Sequence, residues 1–396
     1  MRYDFDKVIE RSNTNSVKWD FCRELFGSTE VLPMWVADMD FQVPQPVIEA
    51  LSAVAEHGVF GYPRASSSYY EAVIDWMKHR HDWEVNKEWI TCTPGVVPAL
   101  NWLVKAFTKP GDKVLLQAPV YPPFFKAIEN NGCQVVNNPL KLEGGQFLMD
   151  FVDLEEKLSQ GVKVMLLCSP HNPGGRVWSR EELEQVGKLC LKYGVIVVAD
   201  EIHHDLVFKG FRNTCFATLS KELAENCVVC TAPSKTFNLA GLQVANIIIS
   251  NPKLRSALRQ VIELNGHFEP SIFGLKGVEA AYRHGEEWLE QLISYLEGNL
   301  NYLMDYVESN IPQVKVIRPQ GTYLVWLDFR ELGMEPKALQ KFLNQQAKVG
   351  LNSGHTFGAG GEGFQRMNIA CPRKILVEGL TRLAQAVQKH GAETQK

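Results

Sequence analysis

Lys235 stands in Thr-Ala-Pro-Ser-Lys-Thr-Phe-Asn-Leu-Ala-Gly, residues 231–241, between an apolar run and a loop of small residues. Cys227-Val228-Val229-Cys230 reads as a short buried strand, and Pro233 ends its ladder, which leaves Lys235 at the strand's end. Open α/β sheets bind ligands there. A lysine removed from water at such a place has its pKa lowered and becomes a nucleophile toward a carbonyl or aldehyde. Alone, the Ser-Lys pair is a weak signal, because most such lysines are solvated. Two other stretches end in the same way. Asp200 follows the apolar run Val195 to Ala199, and a buried ionised aspartate requires a cationic partner. Asn172 follows Leu166-Leu167-Cys168 in a loop held by Pro170, Pro173, Gly174 and Gly175, where its amide can donate. Plainer readings are an N-cap for Asp200 and an Asx turn for Asn172. As a set, the three suit pyridoxal phosphate: an amine for its aldehyde, a carboxylate for its pyridine nitrogen and a donor for its phenolic oxygen.

The elements that must hold these residues follow from periodicity. Strands are expected at 89–93, 114–117, 134–137, 162–168, 195–199, 227–231 and 244–250, several of them separated by helical patterns. This alternation predicts an α/β fold with a mostly parallel sheet flanked by helices. A helix is expected from Val47 to Glu56 and stopped by Gly58. A second opens on a capping box at Ser68 and Glu71 and runs to about Lys78; a third is capped by Ser179 and Glu182. Pro94-Gly95 between the strand at 89–93 and a helix ending near Phe107 makes a strand, glycine, helix unit, which offers free backbone N–H groups to a phosphate. Beyond Pro252 long helices run to about Val307. Strands near 314–317, 323–327 and 366–370, a helix at 337–347, a glycine-rich loop at 354–363 and a closing helix follow. We divide the chain into an arm with part of a small domain (1–47), a large domain (48–285) and a small α+β domain (286–396). The first forty residues show little periodicity and read as irregular.

Composition excludes several classes of function. The chain has 396 residues, 45% hydrophobic and 22% charged, ordinary for a globular protein with a large core. A net charge of −4 without a basic block argues against nucleic acid. The charged start, Met1 to Lys7, and the lack of a long apolar run argue against a signal segment or membrane span, so a cytoplasmic protein is expected. Nine cysteines without framework spacing read as reduced thiols, and Cys227 and Cys230, three apart on a strand, as core residues on opposite faces. His203 and His204 with Glu201 and Asp205 do not make a convincing metal site, since neighbours on a chain diverge and no second cluster is spaced to complete one.

Ser-Pro-His-Asn-Pro at 169–173, Ala-Asp-Glu-Ile-His-His at 199–204 and Ala-Pro-Ser-Lys-Thr-Phe-Asn at 232–238 together resemble the fold-type I pyridoxal-phosphate aminotransferase superfamily. Val-Ala-Asp-Met-Asp-Phe at 36–41, Gly-Arg-Val-Trp at 175–178 and His203 look more narrowly like its cystathionine β-lyase, cystalysin and MalY/PatB subgroup. The resemblance covers essentially the whole chain. It implies Lys235 as the Schiff-base lysine, Asp200 as the pyridinium partner and Asn172 as a donor to the phenolic oxygen. It further implies His203 near that oxygen and Tyr121 stacked on the ring. Arg366 would clamp the substrate carboxylate, with Val36 and Ala37 beside the substrate, and Tyr62 would reach the cofactor phosphate across a homodimer interface. Two positions depart from the superfamily pattern: Gln243 replaces a phosphate-binding arginine and Ala232 a serine. The phosphate would then depend on the N–H groups of Val96 and Val97, on Ser234 and on Tyr62. Pro122 likewise replaces a second tyrosine of close cystalysin-like relatives.

The implied activity is cleavage of the carbon–sulfur bond of L-cystathionine or related cysteine conjugates to a thiol, pyruvate and ammonia. An aminotransferase is the nearest alternative. A regulatory partner of a transcription factor that keeps the enzyme fold is another.

Overall fold

The computed structural model describes residues 3–267 and 269–394, so Met1 and Arg2 of the charged start lie outside the described residues. Seven strands form the main sheet: β1 (Ile90–Thr93), β2 (Lys113–Leu116), β3 (Gln134–Asn137), β4 (Val162–Cys168), β5 (Ile196–Asp200), β6 (Cys227–Thr231) and β7 (Ala245–Ile248). Their order across the sheet is β1-β7-β6-β5-β4-β2-β3. Pairing is parallel from β3 through β6, and β7 runs antiparallel to both β1 and β6. Strands β4 to β6 are almost wholly buried, as expected for continuous Val, Leu, Ile and Cys runs covered on both faces.

The flanking helices keep the boundaries that their caps dictate. Helix α1 (Gln45–His57) stops at Gly58, whose φ of 72° is the left-handed conformation that glycine takes without a side-chain clash. Helix α2 (Ser67–His81) corrects one expectation: Ser66, not Ser68, is its N-cap and accepts from Tyr69 N, while Ser68 Oγ instead donates to Glu279. Helix α3 (Val96–Phe107) follows β1, and α4 (Arg180–Tyr193) opens with the expected Ser179/Glu182 capping box. Helix α5 is one turn, Pro233–Thr236, and carries Lys235. Next come α6 (Pro252–Leu264), α7 (Ile272–His284) and α8 (Glu286–Asn310).

A second, antiparallel sheet has the order β8 (Lys315–Ile317), β9 (Leu324–Asp328), β11 (Phe364–Asn368), β10 (Asn352–Ser353), and α9 (Arg373–Thr394) closes the chain. The loop between β10 and β11 is held tight by Gly354 and Gly361, whose backbones approach so closely that a Cβ on either would strike the other's carbonyl. The hairpin of Lys141–Glu143 with Gln146–Leu148 turns at Gly144 and Gly145, both with positive φ.

The arm is more ordered than its sequence suggests. It contains short helices at Val17–Asp20 and Cys22–Phe26, and Leu32–Pro33 pairs in parallel with Val349–Gly350. Lys18, 1% exposed, meets Asp40 Oδ2 at 2.6 Å, and Arg11 contacts Asp38 at 2.7 Å and Asp40 at 2.6 Å. These pairs fasten residues 38–40 beneath the second sheet. All nine cysteines are free and buried, with Cys227 and Cys230 in different core clusters on opposite faces of the main sheet.

Candidate active site

Strands β4, β5 and β6 end level with one another, with Cys168 opposite Asp200 and Asp200 opposite Cys230. The segments leaving that edge surround a cleft of about 770 Å3. Lys235, Asp200, Asn172, His203, Tyr121, Val96, Val97, Ser234 and Ala37 all line it. The structure thus gathers these residues, expected from the sequence, around one cleft. Arg366 adjoins the cleft through Asn172, whereas Tyr62 lies outside it, fully exposed.

Lys235 is half-buried in the cleft wall, and its removal from water, aided by the Arg366 charge, lowers its amine to about pKa 8, although Asp38 and Asp200 pull the other way. Its Nζ donates to the Ala37 carbonyl at 2.7 Å. Burial raises the Asp200 carboxyl to about pKa 7; Oδ1 accepts from Ile202 N at 3.1 Å. No cation of the described residues forms an ion pair with Asp200, so a ring nitrogen placed in the cleft would meet a carboxylate that gains by acquiring one. His203 is held neutral, first by burial and then by the charges of Lys235 and Arg366, and its Nδ1 has no hydrogen-bond partner.

Arg366 is 3% exposed on β11, and no carboxylate of the described residues pairs with it. Its Nη1 donates to Asn172 Oδ1 at 2.9 Å, and its Nη2 to Asn352 Oδ1 at 2.6 Å and Trp35 O at 3.1 Å; Nε is left without a partner. Burial lowers its pKa to about 10, yet it remains a cation at neutral pH. A buried guanidinium surrounded by neutral acceptors is a receptor for a carboxylate.

Residues 35–38 form a strap across the cleft, and side chains hold all four carbonyls. Arg366 takes Trp35, Asn368 Nδ2 takes Val36 at 2.7 Å and Asp38 at 2.6 Å, and Tyr323 Oη shares Ala37 with Lys235. Tyr323, Asn352 and Asn368 were not expected at the site. Tyr323 precedes β9 in a run that reads as core, and the two asparagines sit on strands where only the second sheet's register, Asn352 opposite Arg366 and Asn368 opposite Leu324, brings them to the strap.

At the other end of the cleft, α3 begins after Gly95 without a side-chain cap, leaving the first N–H groups at Val96 and Val97 uncapped toward the cleft. With Ser234 they make a setting for a phosphate, and Gln243 also lines this end. The amine, the carboxylate lacking a cation and the uncapped helix start thus fit pyridoxal phosphate. His81 from α2 approaches His204 and Asp205, completing a three-residue group that local spacing did not reveal. The Asp205 carboxylate already accepts from Trp76 Nε1 at 3.1 Å, His81 Nε2 at 2.8 Å and Thr236 Oγ1 at 2.7 Å. The two imidazoles lie stacked, 4.0 Å apart at 17°, and the Nε2 of each faces the Asp205 carboxylate, at 2.8 Å for His81 and 3.3 Å for His204. The bonds to Asp205 tie Thr236, beside Lys235, to α2.

The family model for aminotransferase class I and II matches residues 29–383. Cystathionine β-lyase PatB of Bacillus subtilis is 47% identical over 385 residues, covering 97% of this chain and 100% of PatB. Protein MalY of Escherichia coli is 36% identical, covering 98% of this chain and 99% of MalY. The crystal structure of cystalysin from Treponema denticola, which contains pyridoxal 5'-phosphate, superposes with a TM-score of 0.96 at 39% identity, covering 98% of this chain and 100% of cystalysin. With its sheet-edge lysine, aspartate and asparagine and its buried arginine, this chain belongs to the aminotransferase class I and II family, in the subgroup of PatB, MalY and cystalysin.

Proposed function

We propose that this chain is a pyridoxal-phosphate-dependent carbon–sulfur β-lyase that converts L-cystathionine or related cysteine S-conjugates to a thiol, pyruvate and ammonia. The observation that supports the reading is the pairing of a half-buried lysine of lowered pKa with a buried arginine that lacks a carboxylate, both at one cleft. When bound, the cofactor supplies an electron sink for the bonding pair of the substrate's α carbon. Lys235 is the amine that would hold the cofactor through its aldehyde and would move the α proton. Asp200 holds positive charge at the pyridine nitrogen. Asn172 is fixed by Arg366 through its Oδ1, leaving its amide nitrogen to donate to the phenolic oxygen, near which neutral His203 also lies. Tyr121 covers the ring. Arg366 would bind the substrate carboxylate with Nε, which has no partner, and with Nη2 turned from Trp35 and Asn352, while Nη1 keeps Asn172; Val36 and Ala37 would cover the substrate. Val96, Val97 and Ser234 hold the phosphate.

Two copies associate, each lending Tyr62 to the other's phosphate end. This is supported by the exposure of Val59, Phe60 and Tyr62 at 70, 59 and 103% and by Gln243 where a cation would serve the phosphate. Division into an arm to 47, a large domain to 285 and a small domain beyond accords with two separate sheets, spanning 90–248 and 315–368. A cytoplasmic location accords with nine free, buried thiols. Among the described residues no helix is long and apolar enough to cross a membrane. The activity is tested by incubating the holoenzyme with L-cystathionine and no oxo acid. Equal release of homocysteine and pyruvate is expected, and neither product should form with Lys235→Ala.

A further inference from the structure

Two donors meet at one oxygen. Lys235 Nζ lies 2.7 Å from the Ala37 carbonyl, and Tyr323 Oη lies 2.9 Å from the same atom. That carbonyl is held between neighbours that are themselves fixed, Val36 and Asp38 by Asn368 at 2.7 and 2.6 Å and Trp35 by Arg366 at 3.1 Å. Tyr323 is 1% exposed, packs edge-on to His203 at 6.1 Å, and has its hydroxyl pushed far above the usual phenol range, first by burial and then by Asp38, so it remains an O–H donor.

We propose that Tyr323 is a positioning residue for Lys235: by occupying the Ala37 carbonyl alongside the lysine, its hydroxyl limits how tightly that oxygen can hold Lys235 as an ammonium. An acceptor serving two donors gives each a weaker bond, and an ammonium gains more from a full-strength acceptor than an amine does. Tyr323 therefore favours the neutral amine, the form that attacks the aldehyde and accepts the α proton. The other groups facing Lys235 are Arg366 on β11, Asp38 on the strap, Asp200 at the end of β5 and His203 after it. Removing the hydroxyl leaves the charges of all four in place.

The inference rests on the role given to Lys235 above, and the test separates the two. Cofactor-free wild type, Tyr323→Phe, Asn368→Ala and Lys235→Ala are mixed with saturating pyridoxal phosphate, and the growth of the visible lysine–cofactor band is timed across pH. If wild type never develops the band, or Lys235→Ala develops the same one, the role of Lys235 fails and the inference fails with it. With that role standing, Tyr323→Phe is expected to keep the high-pH plateau but to shift the inflection upward by about half a pH unit, about threefold slower capture at neutral pH. Asn368→Ala, which frees the strap to leave Lys235, is expected to shift the inflection downward, and it decides the matter if Tyr323→Phe does not fold. An unmoved inflection, or a loss of rate equal at every pH, would overturn the inference.

Discussion

Asn172 Oδ1 accepts a hydrogen bond from Arg366 Nη1 at 2.9 Å, joining the loop after β4 of the main sheet to β11 of the second sheet across 194 residues of chain. The bond sets the amide's direction: with its oxygen committed to the guanidinium, its nitrogen is the free donor. It also fixes Arg366 relative to Lys235, because the other guanidinium nitrogen holds the strap whose Ala37 carbonyl receives the lysine. The guanidinium of Arg366 and the amine of Lys235 are therefore separated by a distance that two sheets determine jointly.

Replacing Arg366 with Lys keeps a cation but loses the planar pair of donors. The expected result is a large rise in KM for amino-acid substrates, on the order of 1 to 3 kcal/mol in kcat/KM, with cofactor content unchanged. Steady-state kinetics with L-cystathionine check this, and an unchanged kcat/KM would remove Arg366 from the carboxylate site.

Purified protein should be yellow, since a lysine conjugated to pyridoxal phosphate absorbs visible light, and Lys235→Ala should lack that band. Absorption spectra after cofactor addition and desalting decide the point. A colourless wild type that does not take up the cofactor would refute the assignment.

The sign of the pH dependence follows from Lys235. An amine must be neutral to attack an aldehyde, so capture of pyridoxal phosphate by the cofactor-free protein should speed up with pH through about 8, where burial and Arg366 leave the amine. Arg366→Gln removes a positive charge that disfavours the ammonium, so the lysine's pKa increases and this acid limb should move to higher pH. Arg366→Lys keeps the charge and should leave the limb in place. Rates of cofactor capture against pH for the three proteins distinguish these outcomes, and a Gln variant whose limb moved downward would contradict the electrostatic account.

Stability should depend on the arm. Burial opposes ionisation of Asp40, but Lys18, with Trp19 and Arg11, outweighs it and holds the carboxyl below its ordinary value. A depressed carboxyl stabilises the fold above its unfolded pKa and loses that contribution as pH falls through the folded value. Lys18→Met leaves Arg11 as the partner of Asp40 and is expected to cost about 3 kcal/mol. Urea unfolding at neutral pH checks the cost, and the gap from wild type should narrow in acid.

Residues 227–231 and 195–200 were legible because a buried parallel strand has few ways to be written, and its carboxyl end is where open sheets bind ligands. The same reasoning located Lys235, Asp200 and Asn172 at one edge. Tyr323 and Asn368 were not legible, since their importance depends on the register of β9 against β11 and on a strap arriving from the arm. His81 escaped for a related reason, its partners Asp205 and His204 lying over 120 residues away. The Gly144-Gly145 hairpin did carry a local signal in its two consecutive glycines. Lys18 carried none, because a buried lysine in an irregular arm resembles a solvated one until its carboxylate is found.

The choice between lyase and aminotransferase is a choice of exit for one electron pair. If Lys235 takes the α proton, the pair left behind would either expel a β-substituent or pick up a proton elsewhere, and a thiolate is a good leaving group. L-cystathionine should therefore yield homocysteine, pyruvate and ammonia in equal amounts over many turnovers with no oxo acid present. An aminotransferase would instead convert its cofactor to the amine form and stop after one turnover until 2-oxoglutarate was supplied, releasing no thiol. Asp200→Ala should slow either course by withdrawing the charge that holds the ring protonated, so that variant tests the site and leaves the exit open. Thiol and pyruvate counted per active site decide the exit. A count that stayed near one without oxo acid would make this chain an aminotransferase.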